Sequence, residues 1–159
     1  MNYIGIDNGL DGGIVILNDQ MKILYKCVMP VLGSSKREYD MITIANVLRK
    51  YPGAQVVLER AQPHFRDGKK QLFKTGHGFG IIQGILTALQ LQYIIVAPKD
   101  WQKQVFKGLN TDDTKLASAL FCQQKWPTED WRRSDKATKL HDGMTDAACM
   151  AYYGINGNV

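Results

Sequence analysis

Asp7 closes the apolar run Met1-Asn2-Tyr3-Ile4-Gly5-Ile6, and Glu59 closes another, Ala54-Gln55-Val56-Val57-Leu58. Asp142 and Asp146 lie close together in His141-Asp142-Gly143-Met144-Thr145-Asp146-Ala147-Ala148-Cys149-Met150. An ionised carboxylate at the end of a buried strand costs stability unless it binds something. A cluster of such acids must hold cations or push some of its pKa values upward. Oxygen-only ligands select Mg²⁺ or Mn²⁺ over zinc. Two such ions roughly 3.5–4 Å apart can activate a water and stabilise the leaving oxygen of a phosphodiester. The acids therefore predict a metal-dependent nuclease centre. No Ser-His-Asp or Cys-His arrangement competes, because His64, His77 and His141 are the only histidines. His141 beside Asp142 either orients the site or moves a proton, or is an ordinary solvent-exposed residue at a helix start.

The elements that must position these acids can be traced along the chain. Residues 1–30 read as three antiparallel strands joined by tight turns, the first of them Asn8-Gly9-Leu10-Asp11-Gly12-Gly13. Ser34 or Ser35 then caps an expected helix through about Tyr51, with Tyr39, Ile42, Ile44, Ala45, Val47 and Leu48 on its apolar face. Val56-Val57-Leu58 reads as a buried parallel strand. A polar, basic loop leads from it to a helix over roughly Leu72 to Leu89 that carries Gly76, Gly78, Gly80 and Gly84. Glycine weakens a helix by up to about 1 kcal/mol relative to Ala, so this row points to a close approach, by another helix or by nucleic acid. Tyr93-Ile94-Ile95-Val96 is the last strand, and helices are expected from Pro98, from about Thr111 to Gln124, and from about Leu140 to Gly154.

The order β-β-β-α-β-α-β-α-α-α describes an α/β fold. Three antiparallel strands followed by strand–helix crossovers give a mixed five-stranded sheet with parallel additions and helices on both faces. Asp7 and Glu59 then become neighbours at the carboxyl ends of adjacent strands, where such sheets place their sites. Asp142 and Asp146, four apart, share one helix face near a helix N-terminus that favours negative charge.

The 159 residues are 45% hydrophobic, which suits one domain with a real core, and the net charge of +5 suits a polyanionic partner. Cys27, Cys122 and Cys149 have neither disulfide nor metal spacing, which points to a reducing compartment. The N-terminus reaches Asp7 too soon for a signal peptide, and no apolar run approaches the ~18 residues of a membrane span. A soluble cytoplasmic protein is expected.

These residues resemble the RuvC-type Holliday junction resolvases, above all the RuvC-like crossover junction endonucleases of bacteriophages. The resemblance rests on Ile4-Gly5-Ile6-Asp7 with the glycines after it, on Leu58-Glu59, and on Asp142-Gly143-Met144-Thr145-Asp146-Ala147. Gly78-Phe79-Gly80, Gly84-Ile85-Leu86, Ala97-Pro98 with Trp101, and Asp113-Thr114-Lys115 agree with it in order and spacing. It implies an RNase H-like fold, a homodimer, and Mg²⁺-dependent nicking of opposed strands in four-way or other branched DNA. Asp7, Glu59, Asp142 and Asp146 match the metal-holding acids. Cellular members often space the last two site residues by three, so Asp146 aligns more naturally than Asp142. Cellular members also carry an aromatic wedge shortly after the glutamate, a role that Phe65 or Phe73 could fill with some shift.

DNA phosphates should meet Arg66, Lys69, Lys70 and Lys74 around the loop and helix start, and Lys115, Arg132, Arg133 and Lys136 further on. The Gly-rich helix is the candidate dimer interface. Two rivals stand beside the nuclease: a non-catalytic module that binds branched DNA, and a small nucleotide-binding ATPase of the actin and sugar-kinase type, whose phosphate loop also follows a first-strand Asp. The ATPase normally needs two such domains, and this chain has room for one.

Overall fold

A computed structural model describes residues 1–62 and 68–158. Strands β1 (Asn2–Asp7), β2 (Gly13–Asn18), β3 (Ile23–Val28), β6 (Gln55–Glu59) and β7 (Gln92–Val96) form one sheet in the order β3-β2-β1-β6-β7. β1–β2 and β2–β3 are antiparallel, whereas β1–β6 and β6–β7 are parallel. The expected mixed five-stranded sheet is thus observed, with β1 central and β6 beside it.

Alternation along these strands feeds two cores. Ile4, Ile6, Ile14, Ile16, Val56 and Leu58 pack with Ile44 and Leu48 of α1 (Met41–Arg49) and with Ile82 and Leu86 of α2 (Lys69–Ala88). On the opposite face, Val15, Leu17, Val57 and Val96 meet α3 (Pro98–Val105), α4 (Thr114–Lys125) and α5 (Asp142–Tyr153). Each fully buried Ile, Leu or Val contributes about 1.5–3 kcal/mol, so both helical layers are firmly attached. Among the described residues, no helix is long and apolar enough to cross a membrane.

Helix α5 lies against the middle of the sheet because glycines clear its path. A Cβ on Gly5 would fall 1.9 Å from the Ala147 carbonyl oxygen, and one on Gly143 would fall 2.5 Å from the Gly12 backbone. Gly12 and Gly143 form an isolated parallel bridge. This contact sets the first turn of α5 on the β1–β2 turn, directly beside the end of β1.

One segment departs from expectation. Ser34 and Ser35 cap nothing; residues 31–39 instead form a small antiparallel pair, β4 (Val31–Leu32) and β5 (Glu38–Tyr39). Helix α1 begins only after Asp40, whose carboxylate accepts bonds from the Thr43 N–H and hydroxyl. A carboxylate cap that satisfies an orphan N–H is a strong start signal, and the Val31–Tyr39 pairing takes up the residues before it. Ile42, expected on the apolar face, is 75% exposed. The other helix starts move by a few residues, with Asp113 and His141 as the side-chain caps of α4 and α5.

Candidate active site at the carboxyl ends of β1 and β6

Asp7 is the last residue of β1 and Glu59 the last of β6, and the parallel register places Ile6 beside Leu58 just before them. Asn8 ties the two strand ends together by donating to the Glu59 carbonyl at 2.6 Å, while its own carbonyl accepts from the Tyr39 hydroxyl at 2.7 Å. Tyr39 fits there because Gly78 has no side chain, since a Cβ would fall 2.1 Å from the phenol oxygen. A cleft of about 490 Å³ opens at this edge, lined by Asp7, Asp11, Asp142 and Asp146, by Arg37, and by Lys74 and Lys115.

Each acid has a distinct hold. Asp7 Oδ1 accepts the Gly9 N–H at 3.2 Å, and Glu59 Oε1 accepts the indole N–H of fully buried Trp101 at 3.0 Å. Asp146 accepts the hydroxyl of buried Ser118. Asp142, half exposed, pairs with Lys115 at 2.9 Å.

Burial and neighbouring carboxylates raise the pKa values of Asp7, Glu59 and Asp146. Burial is the largest cause for Asp7, with the charges of Asp142 and Asp11 adding to it. Burial, then Asp7 and Asp146, lift Glu59 to about 7 against the pull of Trp101. Asp146 is likewise pushed up to about 7, by burial first and then by Asp7 and Asp142, against the bond from Ser118. Ser118 also lies 3.1 Å from the Thr114 carbonyl. One hydroxyl proton cannot serve both acceptors, so a proton on Asp146 suits this arrangement.

Among the described residues, no three Asp, Glu, His or Cys side chains stand close enough together to hold an ion as placed. The acids are instead within electrostatic reach of one another, each engaged by a partner of its own. The donor set nonetheless fits a hard divalent cation. It is all oxygen, and like charges crowded in a partly dry cleft are relieved by a cation more than by any other ligand.

The remaining sequence candidates divide. Lys74 and Lys115 line the cleft, while Lys69 and Lys70 are exposed in the first turn of α2. Phe73 is 72% exposed and stacks on His77 with ring centroids 5.7 Å apart. Arg132 is occupied locally, held by Asp130 and reaching the carbonyls of Asp135 and Ala137. Arg133 approaches Asp11, and Lys136 is exposed. Phe65 and Arg66 lie outside the described residues. His141 is no free surface group: its Nδ1 accepts the Met144 N–H at 3.3 Å as the cap of α5. Of the glycines on α2, Gly78 makes room for Tyr39, whereas Gly76, Gly80 and Gly84 face open space.

Arg37, Tyr39, Asn8 and Ser118 were not among the candidates. Arg37 and Tyr39 sit in the stretch expected to be helical, and Ser118 reads as an ordinary polar residue of α4. Only Asn8 had a signal, its place directly after Asp7.

The sheet order, the helices on both faces and the acids at the β1 and β6 ends define an RNase H-like fold. Solved structures share it. RuvC of Thermus thermophilus in complex with a Holliday junction substrate is 17% identical over 96% of this chain and 92% of its own, with a TM-score of 0.64. A second Thermus thermophilus RuvC structure matches at 17% identity, 99% and 97% coverage and a TM-score of 0.60. The fowlpox virus resolvase, solved with its substrate Holliday junction DNA, matches at 18% identity, 98% and 97% coverage and a TM-score of 0.56. No protein-family model and no curated protein sequence matches the chain.

Proposed function

We propose that this chain is a nuclease domain that nicks opposed strands of branched DNA, four-way junctions above all, with the help of Mg²⁺ or Mn²⁺. The observation that carries this reading is the convergence of Asp7, Glu59, Asp142 and Asp146 on one sheet edge, in a fold shared with junction resolvases. A non-cutting DNA binder gains nothing from four carboxylates beside phosphates, since they repel the ligand.

Asp7, Glu59 and Asp146 are the residues to hold the cations, with Asp142 at the open side. Two bound divalent ions would supply an activated water and charge stabilisation for the leaving oxygen. The chain's own groups do the rest. Trp101 and Ser118 fix the rotamers of Glu59 and Asp146, and Asn8 holds the two strand ends at constant separation. Lys115 balances Asp142 and stands at the cleft where a phosphate enters.

Lys74 lines the cleft, exposed Lys69 and Lys70 precede it on α2 to meet DNA phosphates, and Phe73 is available to stack on an unpaired base. A symmetric dimer suits a nearly two-fold junction. The open glycine row of α2 is the face where a second copy can approach closely. DNA as substrate and three free cysteines suit the cytoplasm.

The test is incubation of a labelled synthetic four-way junction with Mg²⁺, beside linear duplex, flap and Y-fork controls. Paired nicks across the junction are expected. Tight binding without nicks in either Mg²⁺ or Mn²⁺ would instead favour a binding module.

A further inference from the structure

Asp11 stands at the mouth of the cleft on the β1–β2 turn, with its side chain 65% exposed. Two arginines from distant segments converge on it. Arg37, just before β5, makes a bidentate pair with Asp11 at 2.7 and 2.8 Å. Arg133, from the loop between α4 and α5, approaches the same carboxylate at 3.8 Å, beyond hydrogen-bonding reach.

One carboxylate cannot neutralise two guanidinium groups, so this corner of the cleft keeps a surplus positive charge beside the acids. Exposed ion pairs contribute little to stability, so the fold does not need this arrangement. The planar fork that Arg37 presents to Asp11 matches a phosphodiester's two free oxygens equally well.

We propose that Arg37 and Arg133 form a phosphate clamp that grips the DNA backbone next to the bond being cut, with Asp11 as a placeholder for that phosphate. The clamp rests on the nuclease reading. Asp11 gathers both guanidinium groups at the mouth of the cleft when DNA is absent. As DNA enters, a phosphate takes over one or both forks, and the repulsion between Asp11 and the phosphate limits how tightly non-substrate DNA is held. The two arginines bind and position; they do not touch the reacting oxygen.

The test measures junction binding by anisotropy without divalent cation, and single-turnover cleavage in Mg²⁺ at saturating protein. Arg37→Gln should weaken binding about tenfold, as expected for the loss of one charge-assisted contact to a phosphate. It should also flatten the dependence of log affinity on log salt by about 0.9. Arg133→Gln should act in the same direction, and Arg37→Lys should fall between Arg37→Gln and the unaltered protein. Single-turnover cleavage at saturating protein should fall by less than affinity does, because saturation restores occupancy and leaves only the positioning share of the clamp lost.

Asp11→Asn supplies the opposite sign. It should tighten binding, above all to linear duplex, whereas loss of a merely structural ion pair would loosen the loop and weaken binding. Unchanged affinity and salt slope in Arg37→Gln, or weaker binding in Asp11→Asn, would overturn the clamp. If Arg37→Gln fails to fold, the Asp11→Asn result decides. An unaltered protein that neither binds nor cuts junctions would overturn the nuclease reading itself, and that outcome is distinct from intact cleavage with an indifferent Arg37→Gln.

Discussion

Replacing Glu59 by Gln should make the cation-free protein more stable at pH 8 while destroying its activity. Burial and the neighbouring Asp7 and Asp146 raise Glu59 from 4.5 to about 7. Each tenfold change in proton affinity is worth about 1.4 kcal/mol, so ionised Glu59 costs the folded state about 3 kcal/mol. Gln cannot ionise, and its Oε1 still accepts the Trp101 indole N–H. For a domain of this size 1 kcal/mol moves Tm by about 2–4 °C, so Glu59→Gln should raise Tm by roughly 6–12 °C in EDTA at pH 8.

The pH profile identifies the cause. Between the unperturbed glutamate value of 4.5 and about 7, the folded state binds more protons than the unfolded chain, so rising pH erodes stability. Thermal unfolding from pH 4 to 9 should show that erosion in the native protein and much less of it in the Gln variant. Asp146, also near 7, leaves a residual slope. Mg²⁺ should then stabilise the native protein well above the variant. A Gln variant less stable than the native protein at pH 8, or a difference that does not vary with pH, would refute this account of the cleft.

Substitutions at three further positions probe how the site is held. Ser118→Ala removes the hydroxyl that bonds Asp146, so the Mg²⁺ concentration for half-maximal cleavage should rise several-fold, read from cleavage titrations. Gly5→Ala forces a methyl group onto the Ala147 carbonyl, so denaturant unfolding should show a loss of 3 kcal/mol or more, at or beyond the ~1–3 kcal/mol typical of overpacking because backbone cannot yield as a side chain does. His141→Ala should cost about 0.5–2 kcal/mol through the lost cap, and His141→Asn much less. Burial depresses the His141 pKa, so its contribution is complete above about 6.5 and is lost as pH falls below that; the Asn variant should lack this acid-side loss.

The sheet was legible because its strands are short apolar runs bounded by turn residues, and because Asp7 and Glu59 end two of them. The pairing of β1 with β6 followed from the usual arrangement of such a mixed sheet, in which the first strand is central and the first parallel addition lies beside it. The segment 31–39 misled because its serines offer a plausible cap, while the pairing of Val31 with Tyr39 and the stronger cap at Asp40 act only when both are present.

The supports of the site were hidden for a related reason. Ser118 reaches Asp146 across 28 residues, Trp101 reaches Glu59 across 42, and Arg37 reaches Asp11 across 26. Spacing along the chain carries no trace of such contacts. Trp101 was visible only through the resemblance, which marked its place but not its task. His141 looked like surface because nothing local distinguishes a capping imidazole from an exposed one.

The most direct test of the central claim is Asp7→Asn assayed on a four-way junction in Mg²⁺, with binding and nicking measured on the same preparation. Retained junction affinity with nicking reduced by about a hundred- to a thousandfold is the predicted result, as expected when a carboxylate that holds the charge-stabilising cations is removed. Full nicking by Asp7→Asn, with junction affinity unchanged, would contradict the assignment of this cleft as the active site.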